Sequence, residues 1–146
     1  TVALLGLHLY QDLRYQRHAV LLLRYFTAFF VCLHGWHRIE NGGWVGWGQY
    51  LSAQGWPMGV AITGGITTLE ALGAPVFAWA RWPRISLFLG IVFCVLYSFA
   101  TAMHHWRFGW FLKPEGVNGV EASVLLLACF VSVILALPKA GAQDRG

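Results

Sequence analysis

ISLFLGIVFCVLYSFATAM, residues 85–103, is a run of 19 residues without a charged side chain. At ~1.5 Å per residue a helix of that length covers roughly 28 Å, close to the ~30 Å hydrocarbon core of a bilayer. Arg84 precedes the run and His104, His105 and Trp106 follow it, the flanks expected where a span meets two interfaces. Neither this run nor any other segment alternates apolar and polar residues, which argues against a membrane β-barrel.

Working outward, three further stretches have the same character. The predicted spans run from about Ala19 to Ile39, Pro57 to Ala80, Arg84 to Trp106 and Asn118 to Leu137, with Pro138 stopping the last. Asn41, Gly42 and Gly43 break the chain after the first span. Gly42 to Gly55 is too aromatic for a free aqueous loop, and a short interfacial or re-entrant helix is expected near Gly46 to Ala53. Residues 1–18 are expected to form an interfacial helix, with Leu4, Leu5, Leu9 and Leu13 at helical spacing and Arg14 and Arg17 reaching lipid phosphate. The fold class is therefore all-α: one integral membrane domain, a four-helix transmembrane bundle preceded by a short interfacial N-terminal helix. Composition agrees. Hydrophobic residues make up 58% of the 146 and charged residues 11%, well under the usual quarter, and a soluble domain of this size could not hide so much apolar surface.

The net charge of +4 is scattered, with no basic stripe or zinc-finger spacing, so nucleic acid is not an expected partner. The positive-inside rule orients the chain instead. With both termini cytoplasmic, Arg14, Arg17, Arg81, Arg84, Lys139 and Arg145 are inside, and only Arg38, Arg107 and Lys113 are outside. The expected location is the bacterial inner membrane, with lipid as the first partner.

Three ionisable residues interrupt apolar stretches. Glu70 is the only charge between Asn41 and Ala80, and Arg24 and Glu121 repeat the pattern in the first and fourth spans. A charge at the centre of a spanning helix costs ~2.5–3.5 kcal/mol on translocon scales, so each needs a partner, a proton or a ligand. Counting ~1.5 Å per residue from the inner edges puts Arg24 and Glu70 within roughly 6 Å in depth, and an intramembrane ion pair between them is expected.

A second polar group gathers at the outer ends of the spans: His34, His37 and Arg38 on the first, His104 and His105 on the third, Glu121 on the fourth. Imidazoles, a guanidinium and a carboxylate at one depth can hold a polar ring or relay its protons. Three readings stay open: a site for a quinone or other small polar ligand walled by Trp36, Trp106 or Phe111, a structural polar network, or a haem or metal site. No residue is assigned as a metal ligand. Cys32, Cys94 and Cys129 lie singly in different spans, which argues against thiol–disulfide exchange and suits small buried fillers.

Motif order adds a resemblance. Arg24, Gly35-Trp-His-Arg38, an aromatic Gly-rich loop ending in Gly55-Trp-Pro57, Glu70, His104-His105 and Gly116-Val-Asn-Gly-Val-Glu121 together resemble the DoxX family of small four-helix membrane proteins. The resemblance implies Arg24, Arg38, Glu70, His104 and Glu121 as the family's polar positions, and an accessory role beside membrane redox enzymes. The expected function is an accessory subunit of a quinone-linked electron-transfer complex, contributing to a quinone site, with other subunits of that complex as partners. No flavin or iron–sulfur motif is present, so any enzymatic part is that of a non-catalytic or quinone-site subunit. The alternatives are a structural anchor of a larger complex and a small anion or metal transporter.

Overall fold

The computed structural model describes residues 2–79, 81–111 and 119–137, the side chains of 2–15 and 17 excepted. The order is α1 (Val2–Glu40), α2 (Gly43–Ala53), α3 (Gly59–Thr68), a π turn (Leu69–Gly73), α4 (Ala74–Trp79), α5 (Pro83–Met103), a 3-10 turn (His105–Phe108) and α6 (Val120–Leu135). No strand occurs among the described residues. Three segments are long and apolar enough to cross a membrane: His18–Glu40, Gly59–Trp79 and Pro83–Met103. The chain is thus an integral membrane protein. The fourth apolar helix, α6, has 16 residues, or roughly 24 Å of rise.

The boundary expected near residue 18 is not a break. Helix α1 runs 39 residues without interruption, because no glycine or proline stands between Gly6 and Gly35 to turn it. The interfacial pattern of Leu4, Leu5, Leu9, Leu13, Arg14 and Arg17 lies on side chains outside the described ones, as do Gly116 to Asn118 and Pro138. The helix expected near Gly46 to Ala53 is α2, three residues longer at its start.

Pro75 shapes the second crossing. It has no N–H for the carbonyl of Ala71, four residues back, and its ring crowds that oxygen. The helix widens into the π turn immediately before it, a common accommodation at such points. The Cys32 thiol on α1 donates to the freed Ala71 carbonyl at 3.3 Å. Cys32→Ala is expected to cost about 1 kcal/mol by leaving that oxygen unpaired, and Cys32→Ser to restore it. Detergent-titrated unfolding checks this, and equal stabilities for the two variants would remove the thiol from the account.

Packing relies on close approach and on aromatic contact, as it must where lipid is as apolar as the side chains. Gly35 brings α1 against the π turn: a Cβ there would stand 2.6 Å from the Ala71 nitrogen. Gly48 on α2 and Gly59 on α3 interlock backbone to backbone, and Thr63 adds a hydrogen bond from its hydroxyl to Trp44 O at 2.6 Å. Helix α2 is thereby clamped along α3; we call this end of the bundle the upper end. Phe77, Phe93 and Phe130 are fully buried at the centre, with ring centroids 5.2 to 6.3 Å apart.

Candidate functional site

Glu70 sits in the π turn and is 3% exposed. Arg38, three residues beyond the Gly35 contact, donates from Nη1 to Glu70 Oε2 at 2.7 Å. Its other arm donates from Nη2 to His34 Nε2 at 2.6 Å. Arginine cannot accept a hydrogen bond, so that imidazole nitrogen carries the lone pair and His34 is neutral. The guanidinium carbon lies 4.8 Å over the Trp47 ring, a cation–π contact that ties α2 to the pair. From α5 the Tyr97 hydroxyl donates to Glu70 Oε1 at 3.2 Å. Helices α1 and α5 thus meet at the carboxylate of the π turn, and α2 joins them through the Arg38 guanidinium.

Above this network lies a cavity of ≈ 500 Å³. His34, Arg38, Glu70, Tyr97, His104 and His105 supply its polar lining, and Trp47, Tyr50 and Phe99 its aromatic walls. The fixed charges of Arg38 and Glu70 cancel. Burial pushes the His104 imidazole below its ordinary pKa, and His105 and Arg107 push it the same way, so His104 is neutral near pH 7. The Tyr50 hydroxyl and His104 Nδ1 are buried without a hydrogen-bond partner among the described residues. A second cavity of ≈ 190 Å³ lies against α6 and shares His34, Tyr97 and His105 with the first.

The expected residues divide. His34, Arg38, His104 and His105 line the cavity. His37 is exposed and lines neither cavity, with its ring 3.1 Å from Asn41 Nδ2. Glu121 is exposed at the start of α6, where its backbone N–H donates to Trp110 O at 3.0 Å, and it lines neither cavity. The expected aromatic walls are elsewhere as well: Trp36 donates to Glu40 at 2.9 Å, and Trp106 and Phe111 are more than 70% exposed.

The Arg24–Glu70 pair does not form. Arg24 lies about three turns of α1 before Gly35, roughly 16 Å along the axis, and Gly35 is the residue beside Glu70. Arg24 is itself buried, and its Nε donates to Phe77 O at 3.0 Å. That carbonyl belongs to the last turn of α4, where four oxygens have no intrahelical donor and the dipole favours a cation. Counting residues from assumed edges missed this competitor. Arg38, reaching down from above, is the partner instead.

Tyr97, Trp47, Tyr50 and Phe99 were not legible as site residues. The available signal was spacing: Trp47 and Tyr50 are three apart on α2, so they share a helix face. Among the described residues no three His, Cys, Asp or Glu side chains gather as a metal site.

Comparison with protein-family models, with curated proteins and with solved structures finds no match. The DoxX resemblance therefore rests on motif order alone.

Proposed function

We propose that this chain is an accessory membrane subunit of a quinone-linked electron-transfer complex, and that its upper cavity takes the quinone head group. In this reading α6 is the fourth crossing of a four-helix bundle, and both termini face the cytoplasm of a bacterial inner membrane. The observation that carries the proposal is the cavity itself: about 500 Å³, aromatic on its walls, polar on its floor and balanced in fixed charge. That volume is within the ~300–1,000 Å³ of ordinary small-molecule sites. Trp47, Tyr50 and Phe99 offer faces and edges for a flat ring. Arg38, Tyr50 and His104 offer polar groups for its two carbonyl oxygens.

Charge balance favours a neutral ligand over an anion, because Glu70 already occupies the guanidinium an anion would seek. Reduction of a quinone takes two electrons and two protons and leaves a hydroxyl on each former carbonyl. The histidines and Glu70 are groups able to carry protons. The electrons come from a partner subunit, since the sequence carries no flavin or iron–sulfur motif.

The test uses the full chain in lipid nanodiscs, titrated with a decyl-tailed dimethoxy-methyl-benzoquinone and followed by quenching of tryptophan fluorescence. Wild type is expected to bind, with His104→Ala and Trp47→Ala each weakening binding about tenfold, the loss of one good polar or stacking contact. A chain that binds no quinone ends the quinone reading, and a loss of stability in His104→Ala would then mark the cluster as a structural brace.

A further inference from the structure

The cavity has a roof of aromatic contacts on one side and two apolar helix faces on another. Over the roof, Tyr50 of α2 meets the His104 ring edge-on at 5.8 Å, and the Arg107 guanidinium lies 5.7 Å from the Tyr50 ring. Farther along, Trp56 meets Phe99 of α5 edge-on at 5.3 Å. Trp56 is held there by the end of α2. Gly55 takes the left-handed conformation (φ 87°), its N–H reaches Ser52 O at 3.0 Å, and the Trp56 N–H reaches Leu51 O at 3.1 Å. This is the glycine-closed helix end that fixes the direction of the next residue. Aromatic contacts thus join α2 and its turn to Phe99 of α5 and to His104 just beyond it.

Below that roof the helices part. Helix α5 packs along α4, whereas neither α3, the same crossing above the π turn, nor α2 packs closely along α5, and α2 reaches toward it through aromatic side chains alone. The cavity lies in the fork. The fork is lined by Ile66 of α3 and by Leu96, Phe99 and Ala100 of α5, all apolar. The polar groups Glu70, Arg38 and His34 belong to the π turn and α1, and Tyr97 of α5 meets them through its hydroxyl on Glu70 at 3.2 Å. Ile66 and Leu96 both lie within segments long and apolar enough to span a bilayer. In a bilayer crossed by those segments, the outside of the fork faces hydrocarbon.

We propose that the fork between α3 and α5 is a lateral portal, and that the site takes a lipid-borne amphiphile with a polar ring in the cavity and a hydrocarbon tail leaving between Ile66 and Leu96. This deepens the quinone reading and rests on it, by assigning the tail a path and the ligand an entry from the bilayer. A ligand arriving on the α2 side would instead pass the Tyr50–His104 and Trp56–Phe99 contacts.

The experiment compares two probes on the full chain in nanodiscs: the decyl-tailed benzoquinone and the same ring without its tail. Leu96→Trp narrows the fork, and Ile66→Trp narrows it from the other side should the first variant fold poorly. The expected result is a loss of about tenfold or more in affinity for the tailed probe, as for an overpacked contact, with a change under about threefold for the tailless ring. Equal losses for both probes, or an unchanged affinity for the tailed one, overturn the portal while leaving the head-group site standing. Wild type that binds neither probe overturns both.

Discussion

Arg38→Gln is expected to destabilise the bundle by about 3–5 kcal/mol, the cost of leaving one member of a buried ion pair without its partner. The residue does three things at once. It neutralises Glu70 at 2.7 Å, donates to His34 at 2.6 Å and lies over the Trp47 ring. Without it Glu70 keeps only the Tyr97 hydroxyl, one neutral donor for a carboxylate that is 3% exposed. The double change Arg38→Met with Glu70→Leu is expected to recover most of the loss, because apolar replacements of a buried pair are often neutral or stabilising. Equilibrium unfolding in mixed micelles, run as a double-mutant cycle, measures both effects. A single-variant loss below about 1 kcal/mol would place the pair with exposed salt bridges and remove Glu70 from the centre of the site. The recovered double variant should still fail to bind the decyl-tailed quinone, which separates holding the fold from holding the ligand.

The fold was legible where physics acts on a whole segment. Apolar length gave three of the crossings, and aromatic density between Gly42 and Gly55 gave α2. Isolated charge gave Glu70, because no amount of local packing makes a lone carboxylate ordinary in an apolar stretch. Its partner was not legible, since pairing depends on register between helices, and register is set here by Gly35 and by the π turn. Pro75 was the overlooked sign of that turn: a proline inside a span must free a carbonyl and deform the ladder. Tyr97, Trp47 and Tyr50 were hidden for the opposite reason. In a chain whose composition is 16% aromatic, another tyrosine or tryptophan on an apolar helix carries no signal until the topology shows which ones face one another. His37 and Glu121 show the complementary error. Depth grouped both with the cavity residues, and three-residue spacing from His34 also grouped His37, yet neither lines a cavity.

Gly35→Ala tests that register most directly, and its effect should be out of proportion to one methyl group. A Cβ at Gly35 would lie 2.6 Å from the Ala71 nitrogen, 2.8 Å from Glu70 Cβ and 2.9 Å from Thr67 O. Two of these are backbone atoms, which cannot rotate away, so α1 must move off the π turn. The Cys32–Ala71 and Arg38–Glu70 hydrogen bonds lie three residues to either side of Gly35 on α1, and a shift at Gly35 lengthens both. Overpacking alone costs ~1–3 kcal/mol, and loosening the ion pair adds to it. The expected outcome is a fall in stability at least as large as that of Cys32→Ala, together with loss of quinone binding. Gly65→Ala on α3 is the control. A Cβ there meets nothing within 4 Å, and the change from glycine to alanine inside a helix is worth roughly 0.5–1 kcal/mol of stabilisation. Opposite signs for the two alanines, read in the same unfolding assay, would establish that glycine at position 35 is a spacer which sets the depth of Glu70. The same sign for both would mean that α1 tolerates displacement, and the depth of Glu70 would then have to be fixed by the hydrogen bonds themselves.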